Sequence, residues 1–189
     1  MTLAERRNLL IGLLGDAEEG VRAAAAGALE RLEACQELAA LVADLMAAER
    51  GLRVRAIFAM EQLASAEVFP HLVELLKDPD ADVRAAAVQV LGRKAHPKSL
   101  SSLVRHLRDP APAVRVHAAE ALGHFNDPRL VPYLAAMLRD ADEQLVINAA
   151  HSLGRLGTAE AAAPLAALLH DPRGCVRAAA AQAFGEVPL

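Results

Sequence analysis

Apolar positions along this chain follow one pattern, repeated at a spacing of 31 residues. At that spacing Val114 falls on Val21, Leu52, Val83, Leu145 and Val176, and no insertion breaks the register. Cutting at a constant phase gives six units, 3–33, 34–64, 65–95, 96–126, 127–157 and 158–188. Modules of this kind bury their apolar faces on their neighbours, so the chain reads as one elongated domain, 1–189, without a central core.

Each unit carries two apolar-periodic segments of 10 to 12 residues, which predicts a helical hairpin. In the first segment the apolar residues recur at helical spacing, as in Leu72, Val73, Leu75 and Leu76, or Leu134, Met137 and Leu138. An Asp-Pro turn follows at Asp78-Pro79, Asp109-Pro110 and Asp171-Pro172. The second helix starts near a Val-Arg pair and runs to Leu91-Gly92, Leu122-Gly123 and Leu153-Gly154. There the glycine is expected as a left-handed C-terminal cap. Alanine dominates the second helix, as in Ala23–Ala26 and Ala178–Ala181, and permits close helix stacking. Thr2 and Glu5 have capping-box spacing.

Composition narrows the function classes. Hydrophobic residues make up 54% and aromatic residues only 3%, a core of Ala, Leu and Val that implies neither a sheet nor a membrane span. A net charge of -4, with one Tyr and no Trp, argues against a general nucleic-acid binder. Cys35 and Cys175 fall in repeats two and six. At about one helix diameter per repeat they lie roughly 40 Å apart, too far for a disulfide. They are expected to be free thiols, which fits a reducing, cytoplasmic location. The run Arg6-Arg7-Asn-Leu-Leu-Ile-Gly-Leu-Leu14 lacks a cleavage site and matches the first helix of the register, so it reads as mature structure.

The pattern Asp-Pro-x-x-x-Val-Arg-x-x-Ala-x-x-x-Leu-Gly resembles the HEAT repeat in its short, phycobilisome-lyase-like form, and the resemblance covers essentially the whole chain. It implies an all-α, armadillo-like α-solenoid: a right-handed superhelix of six 31-residue helical hairpins. It also implies a ladder joining neighbouring repeats, with turn aspartates Asp16, Asp78, Asp109, Asp140 and Asp171 bonded to arginines Arg22, Arg53, Arg84, Arg115 and Arg177. Two rungs are missing, because Ala47 stands at one aspartate position and Val146 at one arginine position. Iron-dependent hydroxylases of this architecture carry repeated His-Glu dipeptides, and this chain has none. Helical-repeat glycosylases imply a cationic cleft with aromatic wedges, which the composition does not supply. Nothing marks a chromophore site of the bilin-lyase kind.

In such arrays the second helices line a concave groove. With the valine of Val-Arg at offset zero, offsets 4, 7, 8 and 11 point to the core and offsets 2, 3, 6 and 10 face away. The offset-6 row contains Phe58, Gln89, Glu120, His151 and Gln182. The offset-3 row contains Arg55, Ala86, His117, Asn148 and Ala179, and offset 2 adds Val54, Val116 and Ile147. Arg55 and Phe58 are the residue types that anchor interfaces. His117, Glu120 and His124 share a helix face, with His151 in the matching row of the next repeat, so they are the candidates for a metal site. The pair His117 and His124 spans about 10 Å of helix rise, too far to share one tetrahedral ion.

No nucleophile with a positioned base, phosphate loop or carboxylate pair is present in the pattern. The sequence therefore points to a non-enzymatic scaffold without a cofactor, binding a protein or peptide, neither nucleic acid nor membrane. The alternative is a metal-binding or bilin-lyase-related enzyme subunit using the His/Glu cluster. Phe184, Val187 and Leu189 are expected to leave an apolar edge that supports weak self-association.

Overall fold

A computed structural model describes residues 1–63 and 66–188. Among these the chain is all-helical, an α-solenoid-type repeat fold, and it divides into two compact units, Met1–Val68 and Phe69–Leu189.

The first unit holds α1 (Leu3–Leu13), α2 (Glu19–Leu45) and α3 (Arg50–Gln62). The capping box at the start of α1 forms as expected, with the Glu5 N–H donating to Thr2 Oγ1 at 3.2 Å and the Thr2 N–H donating to Glu5 Oε2 at 2.6 Å. The helix packs on α2 yet buries none of its residues, and Leu9, Ile11, Leu13 and Leu14 stay exposed.

At 27 residues, α2 departs from the expected pair of hairpin helices. It runs unbroken across the 33/34 boundary, joining the second helix of repeat one to the first helix of repeat two. The reason is local. Where later repeats place Gly92, Gly123 or Gly154, this one has Glu30, and the stretch Glu30–Leu38 contains no Gly, Pro or Asn to stop propagation.

The second unit opens on α4 (Val68–Leu75), which begins at the unit boundary. Then come α5 (Ala81–Lys94), α6 (Leu100–His106), α7 (Pro112–Leu122), α8 (Val131–Met137), α9 (Glu143–Leu156), α10 (Ala162–Leu168) and α11 (Gly174–Glu186). Single 3-10 turns lead into α6, α8 and α10. The second helices pack in series, α5 on α7, α7 on α9 and α9 on α11, while α6, α8 and α10 each cover their own partner. The register residues Val83, Val114, Leu145 and Val176 are fully buried. Offset 5 is buried as well, at Val88, Ala119 and Ala150; α5 packs on α7, and α7 and α9 each pack between two other second helices as well as on their own first helix.

The repeated glycine has a different role from the one expected. Left-handed backbone occurs at Ala95 (φ 45°) and Gly157 (φ 56°), and at no other described residue. Gly92 and Gly154 lie inside their helices, and Gly123 ends α7 in right-handed geometry. All three sit at helix crossings. A Cβ on Gly92 would collide with Ala121 Cβ and lie 2.7 Å from its Cα; one on Gly123 would lie 2.8 Å from Ser152 Cβ; one on Gly154 would lie 2.8 Å from Ala183 Cα. Ser152 is fully buried and donates to the Ala119 carbonyl at 2.7 Å, so even the polar member of this series is committed to packing.

Turn aspartates and second-helix arginines each have one constant task within their own repeat. In all five turns the aspartate accepts from the backbone N–H two residues on: Glu18, Asp80, Ala111, Asp142 and Arg173, at 2.8 to 2.9 Å. Arg22, Arg53, Arg84, Arg115 and Arg177 each donate through Nη1 to the two turn carbonyls six and five residues earlier.

The carboxylate rung between repeats is complete at Arg84 and Asp109, where Nε donates to Oδ2 at 3.0 Å and Nη2 to Oδ1 at 2.9 Å. One repeat further on, Arg115 reaches Asp142 instead of Asp140, at 3.8 Å, and its buried Nε has no hydrogen-bond partner. Opposite Val146 the neighbouring repeat supplies its own cation. Arg173 pairs with Asp171 at 2.9 Å and also donates to the Asp140 carbonyl at 3.3 Å. The hydrogen bond from Arg173 holds the Asp171 carboxyl at about 2.

Ala47 occupies the one turn of this series without an aspartate. Ala47→Asp is expected to give the Glu49 N–H the acceptor found in the other turns, raising stability by about 0.5–1 kcal/mol. Urea denaturation monitored by circular dichroism measures it; an unchanged or lower midpoint contradicts the assignment.

Candidate functional site

The second helices of unit 2 present a polar face whose side chains break an otherwise alanine- and valine-rich surface. Helix α5 supplies Gln89, α7 supplies Val116, His117 and Glu120, α9 supplies Ile147, Asn148 and His151, and α11 supplies Gln182. Gln182 is exposed and the other seven are half-buried. Their common direction follows from helical spacing, and the packing of α5, α7 and α9 side by side sets the rows next to one another. In unit 1 the corresponding positions on α3 are Val54 and Phe58, both half-buried, and Arg55, which is exposed. Two members of the expected offset-3 row do not face outward. Ala86 and Ala179 are buried, since the second helices approach too closely there to leave a surface.

The best-formed part of this face is a shallow cleft of about 10 Å³ lined by Gln89, Arg93, His117, Glu120, Ala121 and His124. The Gln89 side-chain nitrogen lies 2.8 Å from Nδ1 and 2.9 Å from Nε2 of His117, and donates to whichever ring nitrogen carries no proton. Glu120 Oε2 stands 3.5 Å from His117 Nδ1. His124 is different in kind: partial burial, reinforced by the Arg155 and Arg93 charges, outweighs Glu120 and holds its pKa below the ordinary histidine value.

The four metal candidates do not gather. His117, Glu120 and His124 share the cleft, His151 does not line it, and among the described residues no three His, Cys, Asp or Glu side chains are placed to hold an ion. Arg93 and Arg155 were missed as site residues. Their signal was offset 10, which the helical wheel puts on the same outward side, and both are exposed there beside His124. Cys35 and Cys175 are exposed free thiols. A hydrogen bond to Glu143, with lesser contributions from desolvation and the Glu143 charge, raises the Cys175 pKa, which leaves this thiol less nucleophilic than an ordinary one.

Larger clefts lie on the other layer of unit 2, between successive first helices, where the sequence pattern marked nothing. One of about 420 Å³ separates α6 from α8, and one of about 570 Å³ separates α8 from α10. Tyr133, on α8, is 51% exposed. At the C-terminal end Phe184 is exposed and Val187 half-buried, while Leu189 lies outside the described residues. Among the described residues no helix is long and apolar enough to cross a membrane.

Paired helices, packed second helices and the Asp/Arg turns define a helical-repeat protein of the α-solenoid class. The HEAT repeats family model matches residues 38–111 and 103–185, well over half of the chain, and the protein belongs to that family. Among curated protein sequences none is significantly similar. Solved structures give the same fold at low identity. The complex of CpcE and CpcF of phycocyanin lyase from Nostoc sp. PCC7120 aligns with a TM-score of 0.68 at 22% identity over 78% of this chain. The chain spans 63% of that structure's matched chain. A designed armadillo repeat protein in complex with the peptide (KR)4 aligns over 100% of both chains, with a TM-score of 0.64 and 19% identity. The Escherichia coli protein YibA aligns at 0.61 and 21% identity, over 97% of this chain and 67% of that one.

Proposed function

We propose that the protein is a non-enzymatic, cytoplasmic scaffold that holds a protein or peptide partner against the outward face of its second helices. The observation that carries this reading is the cleft at His117. Gln89, His117 and Glu120 are engaged with one another there, and its volume of about 10 Å³ accommodates no more than a water-sized group. Such a surface is suited to another surface and not to an enclosed substrate. Gln89, His117, Glu120, Asn148 and His151 supply hydrogen-bonding variety, Val116 and Ile147 apolar contact, and Gln182 a polar rim. On α3, Val54 and Phe58 supply apolar contact with Arg55 beside them. The structural relatives lend support, because one is a two-protein complex and another holds a peptide. No cofactor, nucleic acid or membrane enters this reading. Exposed Phe184 supports weak self-association as a secondary property.

A second reading is favoured by the likeness to the phycocyanin lyase complex: a lyase-related subunit acting through His117, Glu120 and His151. The two are separable. Replacing Arg55, Phe58, His117, Glu120 and His151 together by alanine is expected to abolish capture of the partner from native lysate while the helical circular dichroism and melting transition persist. Retained capture overturns the scaffold reading. Stoichiometric metal or bilin in the purified wild-type protein, lost in this variant, supports the lyase-related one.

A further inference from the structure

The first-helix layer of unit 2 carries a basic surface that the chain's net charge of -4 conceals. Lys77, Arg108, Arg139 and His170 recur at 31-residue spacing, each one position ahead of a turn aspartate. A cation near a helix C-terminus is accounted for in part by the helix dipole. Three further observations exceed that explanation.

Asp140, next to Arg139, keeps a carboxylate that accepts from the Asp142 N–H, but three other aspartates of this layer are already paired with arginines. Asp109 is committed to Arg84, Asp171 to Arg173 and Asp127 to Arg129. The guanidinium groups of Arg108 and Arg139 have no partner among the described residues, and Arg105 is held by the neutral Ser102 hydroxyl at 3.1 Å. Lys77 and His106 are occupied, Lys77 by Glu74 at 2.9 Å and His106 by the Ser102 and Leu76 carbonyls.

These three arginines also border apolar volume. Arg105, Arg108 and Tyr133 line the cleft of about 420 Å³ between α6 and α8, whose floor includes Val104, Leu107 and Met137. Arg139 lines the cleft between α8 and α10, and the two clefts share Pro132 and Ala136, so α8 is only a low divide between them. Finally, Tyr133 stands exposed beside this floor, a position where an aromatic side chain covers apolar surface and offers a hydroxyl at the rim.

We propose that this face is a second docking surface, separate from the second-helix face, and that it takes an acidic peptide segment carrying one bulky apolar side chain. The apolar side chain enters the α6/α8 cleft against Tyr133, Val104 and Met137, and flanking carboxylates pair with Arg105, Arg108 and Arg139. Charge complementarity selects the partner, because arginine forks match carboxylates in pairs and a basic peptide meets repulsion at all three positions. A scaffold with two chemically distinct faces links two partners.

The test uses the full chain and a short fluorescein-labelled peptide rich in Glu and Asp with one central Leu, followed by anisotropy. Saturable binding that weakens with added salt is expected. Arg108→Glu with Arg139→Glu is expected to weaken it at least about tenfold. Tyr133→Ala is expected to remove the preference for the Leu-containing peptide over one of acidic residues alone. Alanine at His117, Glu120 and His151 is expected to leave this binding unchanged, which separates failure here from failure of the second-helix reading. Because the chain contains no Trp, Tyr133→Trp adds a direct reporter, and its emission is expected to shift on peptide addition. Absence of saturable binding, unchanged affinity in the folded double glutamate variant, or equal binding of a basic peptide or a single-stranded oligonucleotide overturns the proposal.

Discussion

Gly123→Ala, a single added methyl group, is expected to cost about 2 kcal/mol of stability despite improving helix propensity. Its Cβ would lie 2.5 Å from Ser152 Oγ, 2.8 Å from Ser152 Cβ and 3.0 Å from Ser152 Cα. Ser152 cannot rotate away cheaply, being fully buried and bonded to the Ala119 carbonyl. The crossing helices α7 and α9 must therefore separate, and overpacking of this kind costs about 1–3 kcal/mol. Helix propensity returns at most about 1 kcal/mol. For a chain of this size the melting temperature falls by about 4–8 °C. Gly92→Ala acts in the same way, since Ala121 backbone stands in its path. Gly27→Ala is the control. Gly27 lies mid-helix in α2, its added Cβ would meet only the end of the Arg31 side chain at 3.5 Å, and a gain of about 0.5–1 kcal/mol is expected. Thermal melts of the three variants decide the matter; equal effects at all three sites would show that the crossings are not tight.

Asp109→Ala is expected to cost about 2–3 kcal/mol, the second large effect. The side chains of Arg84 and Asp109 are only 13% and 6% exposed, and removing the carboxylate leaves a largely buried guanidinium without its paired carboxylate, bonded to the Asp78 and Pro79 carbonyls. It also removes the acceptor for the Ala111 N–H. Burial opposes ionisation of Asp109. The hydrogen bond from Arg84, the Ala111 N–H and the nearby Arg84 and His106 charges outweigh it, so its pKa falls below the ordinary carboxylate value.

A folded-state pKa below the unfolded one means that this stabilisation is fully present above the unfolded value, about 3.9, and is lost as pH falls through the folded value. Asp109→Asn keeps the side-chain shape and the turn acceptor but cannot ionise. The stability difference between wild type and Asp109→Asn is therefore expected to be constant at neutral pH and to shrink in acid. Urea unfolding of both proteins across the acid range measures it, and a difference independent of pH would remove the charge from the explanation.

The Arg84–Asp109 rung was legible from the register, whereas its neighbours were not. Arg115 occupies the same position as Arg84 but meets Asp142, because where its guanidinium ends depends on the offset between adjacent repeats, and no single repeat encodes that. The same limit applied to the site. The outward direction of Gln89, His117, Glu120 and His151 follows from helical spacing alone. The burial of Ala86 and Ala179 does not, since it depends on how closely α5 and α11 approach their neighbours. The first-helix clefts were invisible for a related reason: each is bounded by residues about 30 positions apart, such as Arg105 and Tyr133, that no local pattern links.

What the chain determined by itself was its class of structure. A strict apolar period, Asp-Pro turns and alanine-rich second helices admit one solution, since each hairpin buries its stripe only against another hairpin. Tertiary structure decided the rest. It set where each ladder arginine ends, so that Arg84 meets Asp109 while Arg115 meets Asp142. It also turned the recurrent glycine from an expected cap into a crossing contact. A glycine in a sequence shows only that a Cβ is absent; whether that absence serves a left-handed turn or an approaching helix is settled by what stands opposite, here Ala121, Ser152 and Ala183.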